Sequence, residues 1–143
     1  MRMLLLFCLL AFALPSTAQQ LVSGDLVLHY SAVPTMSLAP DVARRSGLTR
    51  SAGRALLNVA IRRTLADGSD VAQTARVSAS ARNEAGQRQE LRMREVREGD
   101  AIYYLAELRV DEAETYRIEV EAVVDGAPRP LSVVFSQQFF RPR

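Results

Sequence analysis

The sequence predicts an all-β fold, an immunoglobulin-like or fibronectin-type β-sandwich of about seven strands. Three observations support this prediction. Apolar residues recur at every second position after residue 24, turn-forming residues separate the alternating segments, and several segments carry one wholly polar face. Strands that bury one face and expose the other give this pattern, and two such sheets packed face to face form a sandwich.

Seven segments show the alternation, each with the length of an ordinary strand. In chain order they are residues 26–30, 57–62, 76–82, 91–96, 102–108, 116–124 and 131–140. Gly99 suits a tight turn, and Asp125-Gly126 is the strongest hairpin signal in the chain. Tyr116 opens the sixth segment and resembles the corner tyrosine of fibronectin-type strands. Alternatively, it is only the first core residue of its strand.

The connection between the first two segments, residues 33–53, breaks the pattern. Connections of this length in a small domain are usually functional or disordered. Pro40 suits the start of a helix and Gly47 suits its end, which predicts a short helix over residues 40–46. We expect this helix to lie across one end of the sandwich, held to the core by Val42 and Leu48.

The first 18 residues have the organisation of a cleavable secretory signal peptide. Arg2 precedes an apolar run over residues 3–14, and residues 16–18 are small, as signal peptidase requires. We expect cleavage between Ala18 and Gln19, which leaves residues 19–143 as one domain in the periplasm. The alternative is an uncleaved anchor. A membrane-spanning helix needs about 20 apolar residues, so we expect no stable membrane anchor.

Composition excludes several kinds of chemistry. The predicted cleavage removes Cys8, the single cysteine, and leaves His29 as the single histidine. Disulfides, thiol catalysis and His/Cys metal sites are therefore not expected, and neither a phosphate-binding glycine loop nor a G-x-S-x-G motif occurs. We expect no cofactor. The absence of Trp and a formal net charge of only +2 argue against nucleic-acid binding.

Charge is distributed unevenly along the chain. Residues 41–63 carry six Arg against one Asp, whereas residues 95–125 carry ten acidic residues against three Arg. These regions either pair with each other inside the fold or face oppositely charged surfaces of a partner. Arg44 and Arg45 are the candidate partner contacts in the basic region.

A second set of polar residues is expected near the 33–53 connection, and it comprises His29, Tyr30, Arg54, Asn58, Glu95 and Arg97. Asn58 stands in an apolar strand, where a buried amide must find hydrogen-bond partners. The set forms either a ligand pocket beneath the connection or a network that fastens the connection to the sandwich. His29 suits acid–base chemistry near neutral pH, with Asp25 and Ser31 close in sequence. A purely structural histidine is the alternative.

Several segments together resemble a known bacterial family. They are DLVLHY at 25–30, LAPDVARRSG at 38–47, SAGRALLNVA at 51–60, REVREGDAIYYLAEL at 94–108 and FSQQFF at 135–140. In this order behind a signal peptide, they resemble the family catalogued as domain of unknown function 4426. The resemblance implies a small periplasmic protein of Gram-negative bacteria with an immunoglobulin-like sandwich. It implies no catalytic residue, because the family has no established activity.

We therefore expect a non-enzymatic binding or accessory domain. Its edge strands would recruit an extended segment of a periplasmic protein partner, or pair with a second copy of the chain. The alternative is a small-molecule binder with a polar pocket under the 33–53 connection. A third hypothesis is a hydrolase that uses His29.

Overall fold

The computed structural model describes residues 19–140. They form ten strands: β1 (Gln19–Ser23), β2 (Leu26–Pro34), β3 (Arg54–Thr64), β4 (Asp70–Ala72), β5 (Arg76–Arg82), β6 (Arg88–Leu91), β7 (Arg94–Glu98), β8 (Ala101–Arg109), β9 (Thr115–Val123) and β10 (Leu131–Gln138). A 3₁₀ turn, Thr35–Ser37, and one helix, α1 (Pro40–Arg45), lie between β2 and β3. The predicted signal peptide and its cleavage site fall largely outside the described residues, since Ala18 precedes them.

The strands form two antiparallel sheets packed face to face. The first has the order β1-β2-β3-β8-β7, with β4 paired to the far end of β3, and the second has the order β10-β9-β5-β6. In the lettering of immunoglobulin domains, β2-β3-β8-β7 corresponds to strands A-B-E-D and β10-β9-β5 to G-F-C. The predicted all-β sandwich is confirmed.

The core lies between the inner faces of the two sheets. Leu28 of β2 and Leu57 and Ile61 of β3 are fully buried, as is Ile118 of β9 on the facing sheet. In β9, buried residues alternate with exposed ones along most of the strand, as expected for a sheet with one solvated face. Full burial of each such aliphatic side chain stabilises the fold by about 1.5–3 kcal/mol, so the core needs no disulfide.

The prediction of about seven strands is too low. Residues 91–96 are not one strand, because β6 ends at Leu91 in the second sheet and β7 begins at Arg94 in the first. Arg92 and Met93 carry the chain from one sheet to the other, and the alternation continues through this crossing. Two short strands, β1 and β4, lie outside the predicted segments.

A side-chain amide joins the two sheets near the crossing. The Gln89 side chain of β6 donates from Nε2 to the Arg109 carbonyl oxygen at 2.9 Å and accepts from the Arg109 N–H at 3.0 Å. The Gln89 amide thereby satisfies the backbone N–H and C=O groups of Arg109, which a neighbouring strand would otherwise pair at the end of β8. The two sheets are thus bonded together at the side of the sandwich where β6 and β7 lie.

Of the two predicted turns, the one at Gly99 is a tight hairpin turn and the one at Gly126 is part of a longer connection. Glu98 pairs with Ala101, so Gly99 and Asp100 form a two-residue turn in which Gly99 has a φ of 56°. Gly126 also has a positive φ, of 81°, but it lies in a seven-residue connection between β9 and β10 rather than in a tight hairpin. Both positions need the left-handed backbone conformation that glycine adopts without steric cost.

The predicted helix is confirmed over Pro40–Arg45, but its packing differs from the expectation. Ala43, only 2% exposed, is its buried residue, whereas Val42 is 37% exposed and does not hold the helix to the core. The segment is bonded to the outer face of the first sheet, because Glu107 of β8 accepts the Thr49 N–H at 3.0 Å and Arg94 of β7 donates to the Ser46 carbonyl. The segment that follows the helix is therefore fastened to the outer face over β7 and β8.

Tyr116 is a corner tyrosine, as its resemblance to fibronectin-type strands indicated. It lies near the start of β9, the equivalent of strand F, and its hydroxyl accepts the N–H of Asp111 at 2.9 Å. The turn also holds Ala113 at a φ of 61°, in the left-handed backbone conformation that is sterically unfavourable for residues with a Cβ atom. The Ala113 N–H donates to the Phe139 carbonyl at 2.8 Å and the Phe139 N–H donates to the Glu114 carbonyl at 3.4 Å, which fastens this turn to the residue after β10.

Candidate functional site

The predicted polar set does not form one cluster, because alternation along β2 and β3 sends its members to opposite faces. His29 and Asn58 lie on the outer face of the first sheet, where they border a shallow depression of about 240 Å³ that Tyr30, Ser31, Ala60 and Tyr103 also line, although the Tyr30 ring is on the other face. No residue of the connection 35–53 contributes to this depression. The predicted pocket beneath the connection is therefore not found at His29 and Asn58.

Asn58 shows an unusual feature within that depression. Its Oδ1 atom is buried and has no hydrogen-bond partner among the described residues. The sequence-based expectation was that a buried amide here would be satisfied. An unpaired acceptor of this kind costs about 1–3 kcal/mol, and the structure shows no group that offsets it.

Tyr30 lies on the inner side of β2, between the two sheets. Its ring centroid is 4.8 Å from that of Phe135 in β10, with an interplanar angle of 40°. Both residues are half-buried and pack against the core. This ring pair closes the side of the sandwich where β1 and β10 are the edge strands.

Arg54 belongs to a network that fastens the 33–53 connection to the sandwich. Its Nη1 lies 2.7 Å from Oε2 of Glu107, whose other oxygen accepts the Thr49 N–H. The fully buried Thr35 hydroxyl accepts the Ser51 N–H at 2.9 Å. Arg54–Glu107 is also the one ion pair, within residues 19–140, that joins the basic region 41–63 to the acidic region 95–125.

Glu95 and Arg97 lie on the edge strand β7, on the side of the first sheet that faces the core. Arg97 Nε is 3.3 Å from Glu95 Oε2, and the Tyr104 hydroxyl donates to Glu95 Oε1 at 3.0 Å. The same hydroxyl accepts the N–H of Ala75 at 2.9 Å. Burial raises the pKa of Tyr104 above its ordinary value, so this tyrosine is a structural donor and acceptor.

Of the residues suggested for hydrolysis, His29 and Ser31 border the same depression, whereas Asp25 is engaged by an arginine. Asp25 lies 2.6 Å from Arg63 in an ion pair, while His29 and Ser31 stand on the outer face of β2. Arg44 and Arg45 are exposed on α1, with Arg45 3.6 Å from Asp41. Their role as partner contacts stays a prediction. Within the described residues no group of three or more His, Cys, Asp or Glu could hold a metal ion, and no helix is long and apolar enough to cross a membrane.

The edges of the sheets carry a feature that no sequence motif indicates. On one side of the sandwich, β7 has charged residues at four of its five positions and β6 contains Arg88 and Glu90. On the other side, β1 and β10 have no charged residue, and residues 131–140 form a run without charge, Pro or Gly. We call this side, formed by β1 and β10, the open flank.

The open flank also exposes apolar surface. Val22 of β1 is 60% exposed and Val134 of β10 is 50% exposed. Leu21, Val133 and Phe135 are half-buried between the edge strands and the core. A scan for uncharged β-forming runs would have found residues 131–140, but only the strand order shows that β10 is an edge.

Comparisons with known proteins identify a family that matches this chain and crystal structures that share its fold. Residues 20–141 match the family described as Domain of unknown function (DUF4426). The crystal structure of a DUF4426 family protein, PA0388, from Pseudomonas aeruginosa PAO1 is similar, with 30% sequence identity and a TM-score of 0.72. That match covers 88% of this chain and 97% of the other. No curated protein matches.

Two further crystal structures share the fold at low identity. Both are of FetP from uropathogenic Escherichia coli strain F11. One, of the protein expressed recombinantly in the periplasm of E. coli, is 13% identical with a TM-score of 0.60 and covers 88% of this chain and 95% of the other. The second, a copper-bound variant, is 14% identical with a TM-score of 0.60 and covers 87% and 96%.

Proposed function

This chain belongs to the DUF4426 family, and from that premise we propose that it is a non-enzymatic periplasmic binding domain that docks an extended segment of a protein partner along β10. The segment adds to the second sheet as a further antiparallel strand. Main-chain hydrogen bonds supply most of the attachment, and side chains on alternate positions supply specificity.

The observation that carries the proposal is the unprotected edge of β10. An edge strand presents a row of unpaired N–H and C=O groups, and proteins usually guard such edges with charge, proline or short length. β6 and β7 are guarded in this way, whereas β10 has eight residues and no charge. A free edge of this kind is a hazard for aggregation unless another chain covers it.

The inner side of the open flank supports the same proposal. A strand added to β10 would direct every second side chain toward Tyr30, Val133 and Phe135, which are half-buried. Apolar side chains at those positions would shield these half-buried residues from water. Each methylene group buried in this way contributes about 0.8 kcal/mol to the free energy of binding. This use of Tyr30 agrees with its selection from the sequence as a binding candidate.

The location rests on the predicted export signal and on the family. FetP, which shares the fold, is described as expressed in the periplasm. Copper is described for FetP and is not carried over to this chain. Its described residues include a single histidine, His29, and no cluster of His, Cys, Asp or Glu suited to a metal.

Photo-crosslinking in the periplasm of a Gram-negative host tests the proposal. A photoreactive amino acid is placed at Val134 of β10 in the full chain, and at Leu65 as the matched control. Leu65 is 41% exposed and lies in the turn between β3 and β4. We expect a discrete adduct with another protein from position 134 and none from position 65.

A second measurement links the adduct to strand pairing. Val134→Lys should abolish the complex, because a charge on an edge strand opposes strand addition, whereas Leu65→Lys should leave it intact. Amide hydrogen exchange of the complex should show new protection along β10. The same adducts from both positions, adducts containing only a second copy of this chain, or a complex that survives Val134→Lys would each overturn the proposal.

A further inference from the structure

The outer face of the second sheet carries, on the strand next to β10, a carboxylate that has no direct ion-pair partner among the described residues. Glu121 of β9 is directly opposite Ser132 of β10 and, on its other side, opposite Ser78 of β5. Both neighbours are small and uncharged, and Glu121 makes no ion pair or hydrogen bond among residues 19–140. On the same face, Arg117 lies 3.7 Å from Glu119 and Arg88 lies 2.8 Å from Glu90, whereas Arg76 and Arg82 of β5 make no ion pair among the described residues.

The surface around Glu121 has room for an incoming side chain. Ser78, Ser80 and Ser132 line a concavity of about 260 Å³, and its charged lining comprises the Arg88–Glu90 ion pair together with Glu119 and Glu121. Short serine side chains leave this space open where longer residues would fill it. The concavity therefore extends from β10, where the partner docks, across β9 to β5.

Distance allows a docked strand to reach Glu121. Neighbouring strands are about 4.8 Å apart, so a strand added to β10 lies about 9.6 Å from β9. A lysine or arginine on the outer face of that strand, opposite Ser132, can extend over the serine while the Glu121 side chain extends toward it. An acidic or short side chain at the same place leaves Glu121 unpaired.

We propose that the segment docked on β10 carries a cationic side chain opposite Ser132 and that this side chain pairs with Glu121. The inference rests on the proposed function and specifies the partner's chemistry. The partner segment alternates apolar side chains, which face Phe135 and Tyr30, with polar ones, of which the residue near Glu121 is basic.

Peptide binding measured by fluorescence anisotropy tests this pairing. The probes are labelled heptapeptides that alternate valine and threonine, with the central threonine replaced by lysine in one and glutamine in the other. The native chain should bind the lysine peptide about two- to five-fold more tightly, the range of an exposed ion pair. Glu121→Gln should remove this preference, and the charge-matched control Glu84→Gln, in the turn after β5, should keep it. Raising the salt to about 1 M should also remove it.

The outcomes separate the two proposals. Equal affinity of the native chain for both peptides, or a preference that survives Glu121→Gln, overturns the pairing and leaves strand addition in place. No binding of either peptide, or binding that Val134→Lys does not weaken, overturns strand addition and the pairing with it.

Discussion

The corner tyrosine allows a quantitative test of how the sandwich is held together. Tyr116→Phe keeps the ring, which is 5.9 Å from the ring of Phe139, and removes only the hydroxyl. That hydroxyl accepts the Asp111 N–H at 2.9 Å, and Tyr116 is only 3% exposed. The substitution therefore leaves a partly buried backbone donor without its partner.

The expected cost follows from that loss. A buried donor left unpaired costs about 1–3 kcal/mol. For a domain of this size, 1 kcal/mol corresponds to about 3–6 °C in Tm, so a cost of about 1–3 kcal/mol should lower Tm by about 3–18 °C. Thermal unfolding followed by circular dichroism, with urea titration for the free energy, measures both quantities.

Tyr103→Phe is the matched control. Tyr103 is half-buried on the outer face of the first sheet, and its hydroxyl makes no hydrogen bond among the described residues. Its removal should change the free energy of unfolding by less than about 0.5 kcal/mol. Equal effects of the two substitutions would refute the reasoning, because the Tyr116–Asp111 bond would then contribute nothing beyond ring burial.

Two further predictions concern the same end of the sandwich and its core. Ala113→Gly should stabilise the fold by up to about 1 kcal/mol, because glycine adopts the φ of 61° found at this position without the side-chain penalty; a lower urea midpoint would contradict this. Burial raises the pKa of Tyr104 above the ordinary value of 10.0, so its contribution is complete below pH 10 and is lost as the pH rises further. Tyr104→Phe should therefore reduce the fall in Tm between pH 9 and 11, and an unchanged slope would show that this proton is not linked to unfolding.

The alternation of apolar and polar residues was sufficient to predict strands that can be recognised from their own sequence. Strands β2, β3, β8 and β9 have strong alternation, and Pro40 and Gly47 bracket a real helix. The crossing at Arg92 and Met93 was missed because alternation reports which residues share a face and not which sheet they join. The short strand β4 has only three residues, too few to show a period.

The candidate site was harder to predict, because its contacts join residues far apart in sequence. Arg54 was identified as important, but its partner Glu107 is 53 residues away. His29 and Tyr30 were grouped as neighbours, although adjacent residues in a strand point to opposite faces. The open flank depends on strand order, which is a property of the whole sheet and leaves only a weak trace in the uncharged run 131–140.

The amide bridge between Gln89 and Arg109 makes the two sides of the sandwich unequal in how their sheets are joined. At that side the sheets are joined by two hydrogen bonds and by the chain itself, which passes from β6 to β7. At the opposite side the Tyr30 and Phe135 rings meet across the gap. The two sheets are therefore joined by polar bonds and covalent chain at one side, and by the packing of two aromatic rings at the side formed by β1 and β10. The side proposed to receive a partner is thus the side at which, among the described residues, only apolar contacts hold the sheets together.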